Sequence, residues 1–210
     1  MLLVYSPVVI LLGIIGVVGL REDIPIADFT RDPVQIFDAP AYTGILSNVG
    51  AIIWAVTAGI CLFSATVSRA VTRADDHARY LLAAGLFTTL LLLDDVFILH
   101  EMDYGGVPEE SVFVLYASVV LWLVIRFRSV LLQTRVIFLV LAFLCFGMPL
   151  LLDLTPLETT TSVLPYRSVY LFEDGAKFAG IVSWATYFVS VSVAQTHRLI
   201  HGSRIHARHS

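Results

Sequence analysis

The chain has 210 residues, of which 58% are apolar and 14% charged, and its mean hydropathy is +0.85. Soluble domains average about 45–50% apolar and about 25% charged residues, so this composition excludes an ordinary soluble protein and predicts an integral membrane protein. The net charge of −4, without a run of lysines or arginines, gives no reason to expect nucleic acid as a partner. The two cysteines lie in apolar segments, which favours neither a disulfide nor a zinc pair.

Six apolar segments follow one another along the chain, and each is near or above the length of about 20 residues that crosses a bilayer as a helix. They are residues 2–20, 41–67, 80–102, 109–125, 131–152 and 166–196, followed by a tail at 197–210. The first lacks a basic start and a small-residue cleavage site, so we expect an uncleaved helix. The pattern predicts an all-α fold, a polytopic six-helix transmembrane bundle that forms a single integral membrane domain over residues 1–210.

The arginines orient the predicted bundle. Most of them lie in the second and fourth connections and in the tail, whereas the odd-numbered connections hold only Arg21, Arg31 and Arg167. Positive residues concentrate on the cytoplasmic side of membrane proteins. We therefore expect both termini, including the tail, to be cytoplasmic, in a multi-pass protein of the prokaryotic inner (plasma) membrane with the lipid bilayer as its immediate partner.

The third segment carries ionisable residues within an apolar stretch, LLLLDDVFILHE, which ends at Glu101. On a helix, Asp94 and Glu101 share one face, while Asp95 and His100 point to either side of it. Charged residues inside a membrane are costly and usually face the protein interior in pairs. If this segment runs outward to residue 102, Asp94 lies about 12–15 Å below its outer end, and we expect it to be the central acid of a site.

The sixth segment contributes the only lysine of the chain, in the stretch FEDGAKFAG. Lys177 follows Glu173 by four residues and Asp174 by three, spacings at which opposite charges pair on a helix. In the second segment, Asn48 is expected at a similar depth. We predict that Lys177 contacts Glu173 or Asp174 and at least one acid of the third segment. Five carboxylates near one lysine would require bound cations or shared protons.

The first functional interpretation is transport of a small cation or protons through an acidic site that opens outward. The predicted site residues are Asp94, Asp95, Glu101, Glu173, Asp174, Lys177 and Asn48. Acidic residues inside transmembrane helices are typical of ion and proton pathways. The cytoplasmic halves of the segments offer few polar residues, so no inner route is visible in the sequence. A second copy of the chain, in a homo-oligomer, is one way to complete such a route.

The second interpretation is a membrane-embedded metal-dependent enzyme. Carboxylate and imidazole ligands suit a divalent ion such as Zn, Mn or Fe, and the candidate metal ligands are Asp94, His100, Glu101, Glu173 and Asp174. The motifs LSN and LLLDD resemble motifs of the alkaline ceramidase family, intramembrane zinc hydrolases. The resemblance implies Ser47 near the ion, Asp94 assisting a water molecule and a lipid-like substrate. That family carries H-x-x-x-H in its last helix, whereas segment 166–196 holds no histidine, so the zinc site is not transferred.

The third interpretation is a chromophore protein. The stretches ARYLLAAGLFTTLLLLD and EDGAKFAG resemble the third and last helices of microbial rhodopsins. The resemblance implies retinal bound to Lys177 as a Schiff base, with Glu173 as its counterion. The chain departs from that family by its six predicted helices rather than seven, by its reversed orientation, and by Ala83 and Ala84 where the counterion acid of the third helix is expected. Whether the protein is an enzyme stays open among the three interpretations.

Overall fold

The computed structural model describes residues 2–31, 33–72, 75–99, 109–153 and 166–209, and the regular structure in these ranges is entirely helical. This confirms the predicted all-α class for the described part of the chain. The chain forms two compact units, Met1–Ile45 and Leu46–Ser210. The helices are α1 (Leu2–Glu22), α2 (Ile26–Thr30), α3 (Pro33–Ile36), α4 (Ile45–Val71), α5 (Asp76–Phe97), α6 (Glu109–Arg126), α7 (Arg128–Leu131), α8 (Ile137–Asp153) and α9 (Tyr166–His209).

The first unit consists of one long apolar helix and two short ones. With 21 residues, α1 is about 31 Å long, close to the hydrocarbon thickness of a bilayer of about 30 Å. Gly19 allows the chain that follows α1 to approach closely, because a Cβ atom there would lie 2.7 Å from the Ile26 side chain. The Ile24 N–H donates to the Gly19 carbonyl oxygen at 3.0 Å, which holds this turn.

Among the residues whose placement the structure describes in full, three helical stretches are long and apolar enough to cross a membrane: Ile45–Val71, Asp76–Phe97 and Leu171–His201. Two shorter apolar helices, Ser111–Arg126 and Ile137–Met148, accompany them. These stretches are compatible with a membrane protein by their length and composition. The number of six spans and the direction of the termini stay predictions.

The second unit exposes large apolar side chains, as is expected of helices in lipid. Phe63 and Leu144, for example, are 71% and 65% exposed. Among the described residues, the buried polar side chains are Thr57, Ser64, Ser68, Thr88, Asp94, Ser183, Ser192 and Gln195. Soluble monomers rarely expose large contiguous apolar patches, whereas polar groups of membrane proteins face the bundle interior. The burial pattern therefore supports the predicted membrane setting.

Helices α5 and α9 are antiparallel, because their polar contacts occur in reverse order along the two helices. These contacts are Asp75 with Gln195, Tyr80 with Tyr187, Thr88 with Trp184, and Asp95 with Lys177. From residue 75 to residue 95, α5 rises about 30 Å, or about one hydrocarbon thickness. We call the end of this helix pair that contains Asp95 and Lys177 the acidic end. The opposite end contains Asp75, which caps α5, and Gln195, and we call it the capped end.

Aromatic rings fill the centre of the second unit around Trp184, which is 2% exposed. The rings of Trp54, Phe87, Phe143 and Phe188 surround it, with centroids between 4.8 and 6.0 Å away. Its indole N–H donates to the Thr88 hydroxyl at 3.0 Å. Offset and edge-on ring pairs of this kind stabilise helix packing beyond the area they bury. This cluster holds α4, α5, α8 and α9 together and thereby positions the acidic end.

The close approach of α8 and α9 depends on Gly180, and this gives a first testable prediction. A Cβ atom at Gly180 would lie 2.6 Å from a ring carbon of Phe146. We expect Gly180→Ala to lower the free energy of unfolding by about 1–3 kcal/mol, because an overpacked contact forces the ring to move. The matched control is Gly175→Ala on the same helix, where a Cβ atom meets nothing within 4 Å. Thermal unfolding in detergent compares the two, and equal midpoints would contradict the assigned packing.

Helix α5 begins and ends earlier than the apolar pattern indicates. It begins after Asp75, whose carboxylate accepts the His77 backbone N–H at 2.9 Å, an N-cap interaction that satisfies an otherwise unpaired donor. It ends at Phe97, because Ile98 adopts a left-handed conformation with φ of 52° and donates its N–H to the Asp94 carbonyl oxygen. This conformation is rare for a β-branched residue, so the sequence does not predict it.

Helix α4 lies four residues further along the chain than segment 41–67. The left-handed Gly44, with φ of 69°, precedes its first residue, Ile45. Helix α9 begins at Tyr166, as the sixth segment does, but it continues to His209 through the residues expected to form a tail. Basic residues near a helix C-terminus are favourable because they offset the negative end of the helix dipole.

Candidate functional site

An ion pair joins the last turns of α5 to the first half of α9. Lys177 Nζ lies 2.6 Å from Asp95 Oδ1. The Asp95 side chain is only 7% exposed, whereas the Lys177 side chain is 50% exposed. This confirms the predicted contact between Lys177 and an acid of the third segment. The acid is Asp95, which the helical wheel placed to one side of the face shared by Asp94 and Glu101.

Asp94 lies next to this pair and is buried, with 8% exposure. Because α5 ends at Phe97, Asp94 is about 5 Å from the end of its helix, not 12–15 Å as the longer segment implied. The C-terminus of a helix carries a partial negative charge of about half an electron. Among the described residues, Lys177 pairs with Asp95, and Asp94 has an interaction of its own. The two carboxylates and the helix C-terminus concentrate negative charge at this end of α5.

The other predicted site residues differ in their placement. On α9, Glu173 is half-buried and Asp174 is exposed. Asn48, in the first turn of α4, is also exposed. His100 and Glu101 lie outside the described residues. The acidic end is thus built on Asp94, Asp95 and Lys177 with Glu173 and Asp174 on the neighbouring turns of α9, and the role predicted for Asn48 stays a prediction.

The capped end holds a second polar cluster, which the sequence analysis did not single out. Asp75 accepts hydrogen bonds from the His77 backbone and from the Gln195 amide. Arg198 Nη1 lies 2.6 Å from His77 Nε2, and His77 Nδ1 lies 3.4 Å from the Asp75 carboxylate. Because arginine only donates, His77 accepts at Nε2 and carries its proton on Nδ1. An aspartate before a helix is a recognisable N-cap signal, but the contact of Asp75 with Gln195 becomes visible only from the packing of α5 against α9.

The longer α9 also corrects the statement that the last helix lacks histidines. His197 and His201 are four residues apart on α9, and their ring centroids are 6.3 Å apart. This H-x-x-x-H pair does not complete the ceramidase-like site, because it lies about 30 Å along α9 from Lys177 and therefore far from Asp94. Within the described ranges, no group of three or more His, Cys, Asp or Glu side chains is arranged to hold a metal ion.

Comparison with known proteins gives one match. The model of a family described as Domain of unknown function (DUF8692) matches residues 2–191. The chain belongs to this family. Neither the curated proteins nor the solved structures include a match to it. The DUF8692 region contains the acidic end and the aromatic cluster around Trp184, and it stops before His197.

Proposed function

We propose that this DUF8692 protein is an integral membrane protein that binds a cation or protons at its acidic end and transports them. The observation that carries the proposal is the Asp95–Lys177 ion pair with the buried Asp94 in the same helical turn. Charges buried between apolar helices are costly and usually mark ion or proton pathways.

The proposed topology has six spans, with both termini in the cytoplasm of a prokaryotic cell and the acidic end facing outward. Arginines from separate segments support it, because they gather at the capped end. Arg79 lies in the first turn of α5, beside Asp76, and Arg198 of α9 contacts His77. Arg135 belongs to the same half of the bundle, because its neighbour Thr134 contacts Tyr187. Positive residues on one side favour a cytoplasmic capped end.

In the proposed mechanism, Lys177 competes with the transported ion. A cation or proton that binds at Asp94 and Asp95 reduces the negative charge that attracts the ammonium group of Lys177. The bound ion and the ammonium group are both positive, and like charges in one site disfavour each other. The half-exposed Lys177 side chain is then released from Asp95, and its return displaces the ion. Glu173 and Asp174, together with Glu101 and Asn48, are the further ligands in this proposal.

The two other interpretations have less support at the acidic end. For a metal-dependent enzyme acting on a lipid-like substrate, two of the five candidate ligands, His100 and Glu101, lie outside the described residues, so its ligand set stays a prediction. A retinal-binding lysine requires an enclosed apolar cavity, whereas Lys177 is half-exposed and lies against a carboxylate. Its nearest acid is Asp95 rather than Glu173, the counterion that the rhodopsin resemblance implies.

Ligand-dependent stability tests the binding step of this proposal. A ligand that binds only the folded state stabilises it by about 2.7 kcal/mol at a concentration of one hundred times Kd. We expect the unfolding midpoint in detergent to respond to one small cation or to pH, and Asp94→Asn to remove this response. The control Asp76→Asn, in an exposed pair at the capped end, should keep it. A response of equal size in the wild type and in Asp94→Asn would sink the proposal.

A further inference from the structure

The half of the bundle toward the capped end contains a connected series of buried hydroxyl groups. Tyr80 and Tyr187 are 2% and 1% exposed, and the Tyr80 hydroxyl donates to the Tyr187 hydroxyl at 3.1 Å. Tyr187 also lies 2.9 Å from the Thr134 hydroxyl, in the connection after α7. Each hydroxyl both donates and accepts. The series therefore leads from the centre of the bundle to a connection next to Arg135.

Two further hydroxyls are buried, one on α4 and one on α9. Ser68 is 0% exposed and Ser192 is 2% exposed. The Ser68 Oγ atom has no hydrogen-bond partner among the described residues, and the Ser192 hydroxyl meets the thiol of Cys61, a weak hydrogen-bonding group. Buried polar groups nearly always have good partners, so these two hydroxyls indicate a functional reason to keep them. One helical turn further, Gln195 connects to Asp75 at the capped end.

The interior next to the tyrosine pair is tightly packed among the described residues. Aromatic and aliphatic side chains line a cavity of about 10 Å³ next to Tyr80, Trp184 and Phe188, which is too small for a hydrated metal cation. This volume is about that of one water molecule. A proton needs no cavity of its own, because it passes between hydrogen-bonded oxygens.

We infer that the ion bound at the acidic end is a proton and that these buried hydroxyls carry it to or from the capped end. The inference rests on the proposed function and narrows it from any small cation to the proton. In each transfer, an oxygen forms one O–H bond on one side and breaks another on the other side, so no oxidant or reductant is needed. Two steps are longer than one hydrogen bond: Asp94 to Thr88, about 9 Å along α5, and Thr88 to Tyr80, about 12 Å along α5. The inferred route needs bridging water molecules at both, at about 2.8 Å per hydrogen bond.

Flux in liposomes tests the inference, with a pH-sensitive dye in one set and Na⁺- or K⁺-sensitive dyes in a parallel set. We expect a proton flux in the wild type that falls at least tenfold in Tyr187→Phe, which removes the central hydroxyl and keeps the ring packed against Phe188. Ser192→Ala should also slow it severalfold. The matched control is Ser190→Ala, since Ser190 is exposed and its hydroxyl bonds its own helix at 2.7 Å.

The outcomes separate the inference from the proposed function. A Na⁺ or K⁺ flux that depends on Asp94 without a proton flux overturns the inference and leaves the proposed function standing. A proton flux that stays at the wild-type rate in both Tyr187→Phe and Ser192→Ala overturns the hydroxyl route. The absence of any ion flux in the wild type overturns both. Should Tyr187→Phe fail to fold, as judged by its unfolding midpoint, Ser192→Ala decides the question.

Discussion

Replacing Trp184 by alanine is expected to lower the free energy of unfolding by about 3–5 kcal/mol, the usual loss for a large buried aromatic side chain. The indole ring is 2% exposed, contacts rings from three other helices, and bonds the Thr88 hydroxyl. Association of helices in lipid depends on close packing and on hydrogen bonds between helices rather than on the exclusion of water. Removing the ring leaves a cavity at the point where α4, α5, α8 and α9 meet, and it leaves Thr88 without its donor.

The matched control is Trp122→Ala. Trp122 is 55% exposed on α6, although its ring still touches Phe127. We expect this variant to lose less than about 1 kcal/mol, as is usual for substitutions at exposed positions. Unfolding by denaturant in the same detergent measures both variants. If the two tryptophans contribute equally, the cluster around Trp184 is not the core that positions the acidic end.

Replacing Lys177 by methionine is expected to cost about 2–3 kcal/mol. Breaking a buried ion pair typically costs about 3–5 kcal/mol, because the remaining charge is left uncompensated. The half-exposed lysine reduces this value through solvent screening. Unfolding by denaturant in the same detergent measures the loss.

A double-mutant cycle isolates the pair. Asp95→Asn in the Lys177→Met background should recover most of the lost stability, because no buried charge remains. Arg79→Met serves as the control, since the Arg79–Asp76 pair is 3.7 Å long and about half exposed on both sides. Exposed pairs contribute up to about 1 kcal/mol. Strictly additive effects of Lys177→Met and Asp95→Asn would show that the two side chains do not interact in solution.

The helical fold of the described residues was predictable because long apolar stretches separated by charged, Gly- and Pro-containing connections leave few alternatives. The ends of the helices were less predictable, since they depend on single backbone conformations. Ile98 ends α5 in a conformation that its side chain disfavours. Gly202 did not end α9, although a glycine in a basic tail is a common stop signal.

The ionisable residues of the acidic end were recognisable from composition alone, because carboxylates and a lone lysine are unusual among apolar residues. Which aspartate meets Lys177 was not predictable. The helical wheel gives the angle between Asp94 and Asp95, but the rotation of α5 about its axis depends on how Phe87 and its neighbours pack against Trp184. The capped end was missed for a similar reason, since Asp75 and Gln195 meet only through the antiparallel pairing of two helices.

Flux of ions through purified protein in liposomes, compared between the wild type and Asp94→Asn, tests the central claim most directly. The account predicts a cation or proton flux in the wild type that Asp94→Asn abolishes. The variant should stay folded, with an unfolding midpoint within a few degrees of the wild type, which is the shift that a loss of about 1 kcal/mol in stability would cause. Asp76→Asn, reconstituted in parallel, should transport at the wild-type rate. Equal flux in the wild type and in Asp94→Asn, or no flux in the wild type together with a tightly held transition metal, would contradict the account, and the latter result would favour a metal-dependent enzyme.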